Sequence, residues 1–274
     1  LNSMDQIILA NVVFVATPAA LIQNTTHQDS RAYYSVQFFP SSYTYQRALV
    51  FDEDDGEELT GVSEKDKVLH FWKPSKIFEV DVGDYGSLNP LNLGGTYGIK
   101  TVVRGFGLFA PRSLANTGNF YIFCDASGVR LWEGTPKSRL EITQESRVVS
   151  EKIQPLIDRC INGGTWKDAV GKYDAGRRWY LLSLEDPAST PKGVHNTVMV
   201  LDLDTLSWFK FTNWDAESFC VWDGAGDKGE LTYGSSSDGY VYIADDSISA
   251  NDSRQELPIN DMDLSSEWVG GNPN

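Results

Sequence analysis

Six carboxylates crowd a single stretch of this chain, DEDDGEE from Asp52 to Glu58, and they are the first residues to test for chemistry. Crowded oxygen ligands suit a hard cation such as calcium. A calcium loop of the EF-hand kind alternates its acids, turns at a Gly, closes on a Glu and lies between two helices. Here Asp52, Glu53, Asp54 and Asp55 are consecutive, Gly56 separates them from Glu57 and Glu58, and the flanking residues read as strand. The pattern predicts a solvated acidic surface rather than a metal site. The other acid groups, Asp81 with Asp84, Asp202 with Asp204 and Asp245 with Asp246, also fall in turns. Glycoside hydrolysis needs two carboxylates flanking the scissile bond, and nothing in the spacing singles out such a pair. INGGTW lacks the Asp, and SSSDGYVY the Thr-Trp ending, of the S-x-D-x-G-x-T-W turn that marks sialidases. No G-x-S-x-G elbow marks a serine hydrolase. No catalytic residue is expected.

The remaining reactive types are sparse. Gly94, Gly95, Gly98, Gly105 and Gly107 give a glycine-rich middle, but neither G-x-G-x-x-G nor Gly-Lys-Ser/Thr is present, so the glycines are read as points of close backbone approach. Cys124, Cys160 and Cys220 form no CxxC pair, which argues against a zinc site or a disulfide framework. Cys124 and Cys220 lie inside strand patterns, where a free thiol acts as a small buried hydrophobe. His70 falls within VLHFW and reads as structural, while His27 and His195 sit in polar loops without local partners. Arg104, Arg112, Arg177 and Arg178 are candidates for ion pairs between subunits. Trp166, Trp214, Trp222 and Trp268 offer surfaces for stacking a sugar, although core packing is the simpler role for tryptophan in a sheet protein. No cofactor and no metal are expected.

The elements that position these residues come from a hairpin-like pattern that recurs along the chain. It reads NVVFVATPAALIQ from Asn11, DKVLHFWKPSKIFEV from Asp66, NFYIFCDASGVRLWEG from Asn119, RRWYLLSL with NTVMVLDLDTLSWFKF from Arg177, and GELTYGSSSDGYVYIADD from Gly229. Each unit is a β-branched or aromatic run, a turn of Gly, Pro, Asp or Ser, and a second run. A spacing of roughly 50 to 60 residues is that of β-propeller blades, which must stack to cover both faces of each sheet. The expected fold is all-β: a β-propeller of about five blades over residues 1–246, with a polar exit segment over 247–274. One short helix is expected from Ser150, with Ser150 as N-cap, Pro155 limiting its length or splitting it after one turn, and Gly163 stopping it. A first hairpin is expected to turn at Thr17-Pro18, and DPASTPKGVHN to form a surface loop. The opening LNSMDQIILA lacks signal-peptide features and reads, like the GGNPN ending, as a cut within a longer chain. No apolar run of about 18 residues occurs, so no membrane-spanning helix is expected.

The 38 acidic against 23 basic residues give a formal charge of −15. This argues against a surface built to grip nucleic acid through counterion release. Two readings remain: charge that keeps the protein soluble, and an acidic lining past which DNA slides without sticking.

The segments GEELTGVSEKDKVLHFWKPSKIFEVDVG and GIKTVVRGFGLFAPRSLANTGNFYIFCDASGVRLWEG, followed by the units from Arg177 and Gly229, resemble the repeat pattern of bacteriophage tail proteins with a propeller domain, the nozzle or tail tubular protein B type of short-tailed phages. The resemblance runs from about Asn11 to Asp246 and rests on hairpins and turns, not on a chemical site. It implies a non-enzymatic virion protein, made in the host cytoplasm and placed in the tail. There, copies form a ring against portal or adaptor proteins, prolong the DNA channel, and help retain and eject the genome. Nozzle subunits usually carry a platform domain as well, and none is evident here. The alternatives are a capsid-, hub- or fibre-associated propeller that binds a receptor or glycan, or a propeller glycosidase.

Overall fold

The computed structural model describes residues 6–9, 12–16, 30–36, 39–52, 55–66, 68–81, 98–134, 146–212, 214–222 and 230–244. The chain divides into two compact units, Leu1–Phe109 with Glu133–Glu145, and Ala110–Trp132 with Ser146–Asn274.

In the first unit the β-branched and aromatic runs form two four-stranded antiparallel meanders. One holds β1 (Gln6–Leu9), β2 (Val12–Ala16), β3 (Arg31–Val36) and β4 (Phe39–Val50) in chain order. The other holds β5 (Gly61–Lys65), β6 (Val68–Trp72), β7 (Lys76–Asp81) and β8 (Gly98–Arg104). Leu9 pairs with Val12, so a first hairpin turns between them; the turn expected at Thr17-Pro18 lies outside the described residues. Ala32, Leu49, Phe51, Leu59, Val62, Leu69, Phe71, Phe78 and Val80 close the space between the two sheets. Phe51 anchors that core, its ring 4.6 Å from Phe71 and 5.2 Å from Phe78. Lys73-Pro74-Ser75-Lys76 turns β6 into β7, Pro74 presetting the bend and the Lys73 N–H donating to Lys76 O at 2.9 Å. Gly107 lies directly over this turn: a Cβ there would stand 2.0 Å from Lys73 O. The expected close approach is therefore real at Gly107.

The second unit holds three sheets. The first is β9 (Ala115–Asn116), β10 (Tyr121–Cys124), β11 (Val129–Trp132) and β12 (Ser146–Val148). Next come β13 (Val170–Asp174), β14 (Trp179–Leu184), β15 (Thr197–Asp202) and β16 (Ser207–Thr212). The last is β17 (Ala216–Trp222), β18 (Glu230–Ser235) and β19 (Val241–Ala244). β14 shows why the runs do not alternate polar with apolar. Tyr180 to Leu184 are all buried, because each face of the strand meets a neighbouring element. On one face the Tyr180 hydroxyl donates to Ser113 O at 2.7 Å; on the other Leu181 joins a core with Trp214, Leu231, Tyr233 and Tyr242. Rings of that core stack in series, Phe211 on Trp214 at 4.7 Å, Trp214 on Tyr233 at 5.2 Å and Tyr233 on Tyr242 at 5.4 Å. Trp166 and Trp214 are thus core residues.

Among the described residues one α-helix forms, α1 (Gln154–Gly163), after a 3₁₀ turn at Glu151–Ile153. The split after one turn expected at Pro155 is seen: α1 proper begins at Gln154, because Pro155 lacks an N–H and fits the first turn, where none is needed. Ser150 does not cap it; its hydroxyl accepts the Val129 N–H at 3.0 Å. The helix stops at Gly164, which holds the left-handed conformation at φ 77°. No helix among the described residues is long and apolar enough to cross a membrane. Among the described residues the architecture is all-β, five antiparallel sheets with a short helix.

Candidate functional site

The acidic stretch is built into the fold by two lysines from the β6–β7 turn. The Lys73 side chain is fully buried, and its ammonium donates to Asp55 Oδ1 at 2.7 Å, Ser30 Oγ at 2.7 Å and Asp52 O at 3.0 Å. Three acceptors match the three protons of an ammonium. Lys76 Nζ bonds Asp55 Oδ2 at 2.8 Å and Asp52 Oδ2 at 3.0 Å, and Ser75 Oγ donates to Glu57 Oε2 at 2.7 Å. Burial pushes the Asp55 carboxyl up, but the bonds from Lys73, Lys76 and the Glu57 N–H together hold it below the usual carboxylate range. Lys76 is raised, chiefly by its bond to Asp55. Two ammonium groups thus engage the carboxylates of Asp52 and Asp55, which form an ion-paired clasp, while Glu57 is held by the Ser75 hydroxyl. Glu58 is exposed, and Glu53 and Asp54 lie outside the described residues.

The arginines expected to reach other subunits mostly have partners within the chain. Arg112 grips the Glu217 carboxylate through Nη1 and the Glu217 carbonyl through Nη2. Arg177 bonds Asp174 at 2.8 Å with both side chains buried, and Arg178 meets the exposed Asp204 at 3.1 Å. Arg104 ends β8 with its side chain exposed.

Many other acids shape turns. Asp125 Oδ1 accepts the N–H groups of Ser127 and Gly128 at 2.7 Å each, and Asp174 Oδ1 accepts that of Gly176 at 3.0 Å. Asp186 accepts the Ala188 N–H at 3.0 Å and Arg159 Nη2 at 2.9 Å. Asp202 takes the Asp204 N–H and the Thr205 hydroxyl, each at 2.9 Å; these bonds hold its carboxyl low, so it is no proton donor. The side chain of Asp81, and Asp84, Asp245 and Asp246, fall outside the described residues. The signal for this role was present in DASG, DAGR, DPAS and DLDT, each placing the acid just before a bend.

A polar cluster missed in the sequence surrounds His195, which is buried although its segment reads as surface loop. Nδ1 lies 3.1 Å from both Ser183 Oγ and Ala216 O, and Nε2 lies 3.8 Å from Glu217 Oε2. Ser, His and Glu in this order suggest nucleophilic catalysis. Two observations speak against this role for Ser183. Ala216 O only accepts, so Nδ1 carries the proton and is unable to take one from Ser183. Ser183 is fully buried inside β14, with no surface for a substrate. Burial keeps the imidazole pKa below its usual range, partly offset by Glu217.

Two of the thiols, Cys124 and Cys160, are buried and unreactive. Burial pushes Cys124 up to about 12 and Cys160 to about 11. Cys220 is exposed, contrary to the expectation of a buried thiol. On β17 it alternates with Phe219 and Val221, which pack towards the neighbouring sheet. His70 is buried on β6 with Nε2 2.9 Å from Gly134 O, and burial lowers it to about 4. His27 lies outside the described residues.

Together the fold and these clusters define an all-β protein whose charged side chains tie sheets and turns together. No protein-family model matches the chain, and no curated protein was found to match it.

Proposed function

We propose that the chain is a five-bladed β-propeller serving as a non-enzymatic structural component of a phage virion, of the tail-nozzle kind. Copies assemble in a ring against portal or adaptor proteins, extend the DNA channel and hold the genome until ejection. Synthesis is in the host cytoplasm, the final location is the tail, and no cofactor takes part. The observation that carries the reading is the order of the sheets. One antiparallel meander follows another, and in each unit first strands lie side by side, β1 by β5 in the first, β9 by β13 and β13 by β17 in the second. A propeller requires this, because its innermost strands surround a common axis. The non-enzymatic part rests on carboxylates committed to turns and clasps and on the closed Ser183 hydroxyl. The charge of −15 suits a wall that repels the DNA backbone.

Cryo-electron microscopy of the native particle tests this directly. The expected result is a ring of propellers below the portal around a DNA-sized opening. A position on the capsid surface or a fibre would overturn it, and receptor or glycan binding would then lead.

A further inference from the structure

The His195 cluster joins all three sheets of the second unit. Arg112 lies on the 3₁₀ turn Pro111–Ser113 that leads into β9, Ser183 lies on β14 and His195 precedes β15, and Ala216 and Glu217 open β17. Glu217 spends one carboxylate oxygen and its main-chain carbonyl on Arg112, while its second oxygen faces His195 Nε2 at 3.8 Å. That gap is about 1 Å longer than a charge-assisted hydrogen bond of roughly 2.8 Å.

We propose that His195 is a proton-operated release on the Arg112–Glu217 tie, so that acidification loosens the joint between these three sheets. In the neutral ring Nδ1–H is committed to Ala216 O and Nε2 is bare. A proton taken from solvent at Nε2 makes that edge of the buried ring a charged donor facing the half-exposed Glu217 carboxylate. Glu217 is the nearest acceptor, and reaching it draws the carboxylate away from Arg112. The groups that set the balance come from three elements: Glu217 on β17 and Asp168 on the 3₁₀ turn Trp166–Asp168 favour the imidazolium, while Arg112 opposes it. The proposal concerns the second unit alone and holds whether or not the virion reading does.

The test is an NMR titration of the imidazole resonances, with His195 assigned by loss of its signal in His195→Gln. The expected midpoint lies below 6.5, falls further in Glu217→Gln and rises in Arg112→Gln. Amide hydrogen exchange at Ala216–Phe219, corrected for intrinsic rates, should accelerate as pH falls through the measured imidazole midpoint in the native chain and stay flat in His195→Gln. A midpoint near 6.5 that neither neighbour moves would overturn the proposal, as would equal acid acceleration with and without the imidazole. If His195→Gln does not fold, the resonance is assigned through the backbone instead, and Glu217→Gln, which removes the acceptor, takes its place in the exchange comparison: acid acceleration unchanged in Glu217→Gln would overturn the proposal.

Discussion

The Lys73 joint of the first unit and the Arg112–Glu217 joint of the second each hold sheets together, and they are built in opposite ways. In the first unit Lys73 is sealed in, fully buried, with three acceptors from the chain before β3 and from the β4–β5 connection. In the second unit Arg112 and Glu217 are each nearly half exposed, at 48% and 43%, and His195 sits behind them. A buried cation is stable only while every proton it carries has an acceptor, so the Lys73 joint holds one arrangement and no other. A solvated pair contributes little free energy, because water competes for both partners. It can therefore be rearranged at small cost, and a titratable neighbour gives a handle on it. The lysine joint fixes structure; the arginine joint leaves room for adjustment.

The largest expected effect breaks the first joint. Lys73→Met leaves Asp55 and Ser30 without their central donor, and removing one partner of a buried pair costs about 3–5 kcal/mol. Urea unfolding of the variant against the native chain measures it. Arg112→Gln should cost no more than about 1 kcal/mol in the same assay. If the two losses are equal, the contrast between the joints is wrong.

The next effect is acid sensitivity of the first unit. His70 falls from 6.5 to about 4 on folding, mainly through burial. The unfolded chain then binds more protons than the folded one between those values, so stability is full above pH 6.5 and declines as pH falls towards 4. The ceiling is about 3 kcal/mol, from 1.36 kcal/mol per pKa unit. Urea midpoints at pH 7.5, 5.5 and 4.5 should fall in that order in the native chain, and less steeply in His70→Gln. A third test sharpens the geometry of the lysine turn. Gly107→Ala places a Cβ 2.0 Å from Lys73 O, where main chain has to move, and overpacking of this kind costs about 1–3 kcal/mol. An unchanged melting temperature would mean that the turn yields freely.

How far these joints were legible in sequence depends on the range of their contacts. Strands such as VLHFW and WYLLSL announce themselves through residue type, and the hairpins between them through Asp and Gly. The Lys73 joint is silent because KPSK reads as an ordinary polar turn. Its partners Asp55 and Ser30 lie 18 and 43 residues away, beyond any local pattern. His195 was misread for a similar reason. DPASTPKGVHN has loop composition, yet its ends are fastened: the Asp186 N–H donates to Asn196 Oδ1 at 2.9 Å, and Asn196 Nδ2 donates to Asp186 O at 3.2 Å. That closure brings His195 under β17. Acidic residues were read as surface charge because net charge is visible in a sequence, whereas the N–H group that each carboxylate accepts is not.

The smallest expected effect separates two adjacent arginines. Arg177 is buried with Asp174, whereas the pair Arg178–Asp204 is exposed and Arg178 holds a left-handed backbone at φ 57°. Asn tolerates that conformation better than most side chains, since its short amide bonds locally. Arg178→Asn therefore removes a weak pair and relieves some backbone strain, two small terms of opposite sign. Its unfolding free energy should stay within about 0.5 kcal/mol of the native value. Arg177→Asn leaves Asp174 buried without its cation and should cost several times more. If Arg178→Asn proves the more damaging, exposure is not what decides the weight of an ion pair here, and the contrast between the Lys73 and Arg112 joints loses its physical basis.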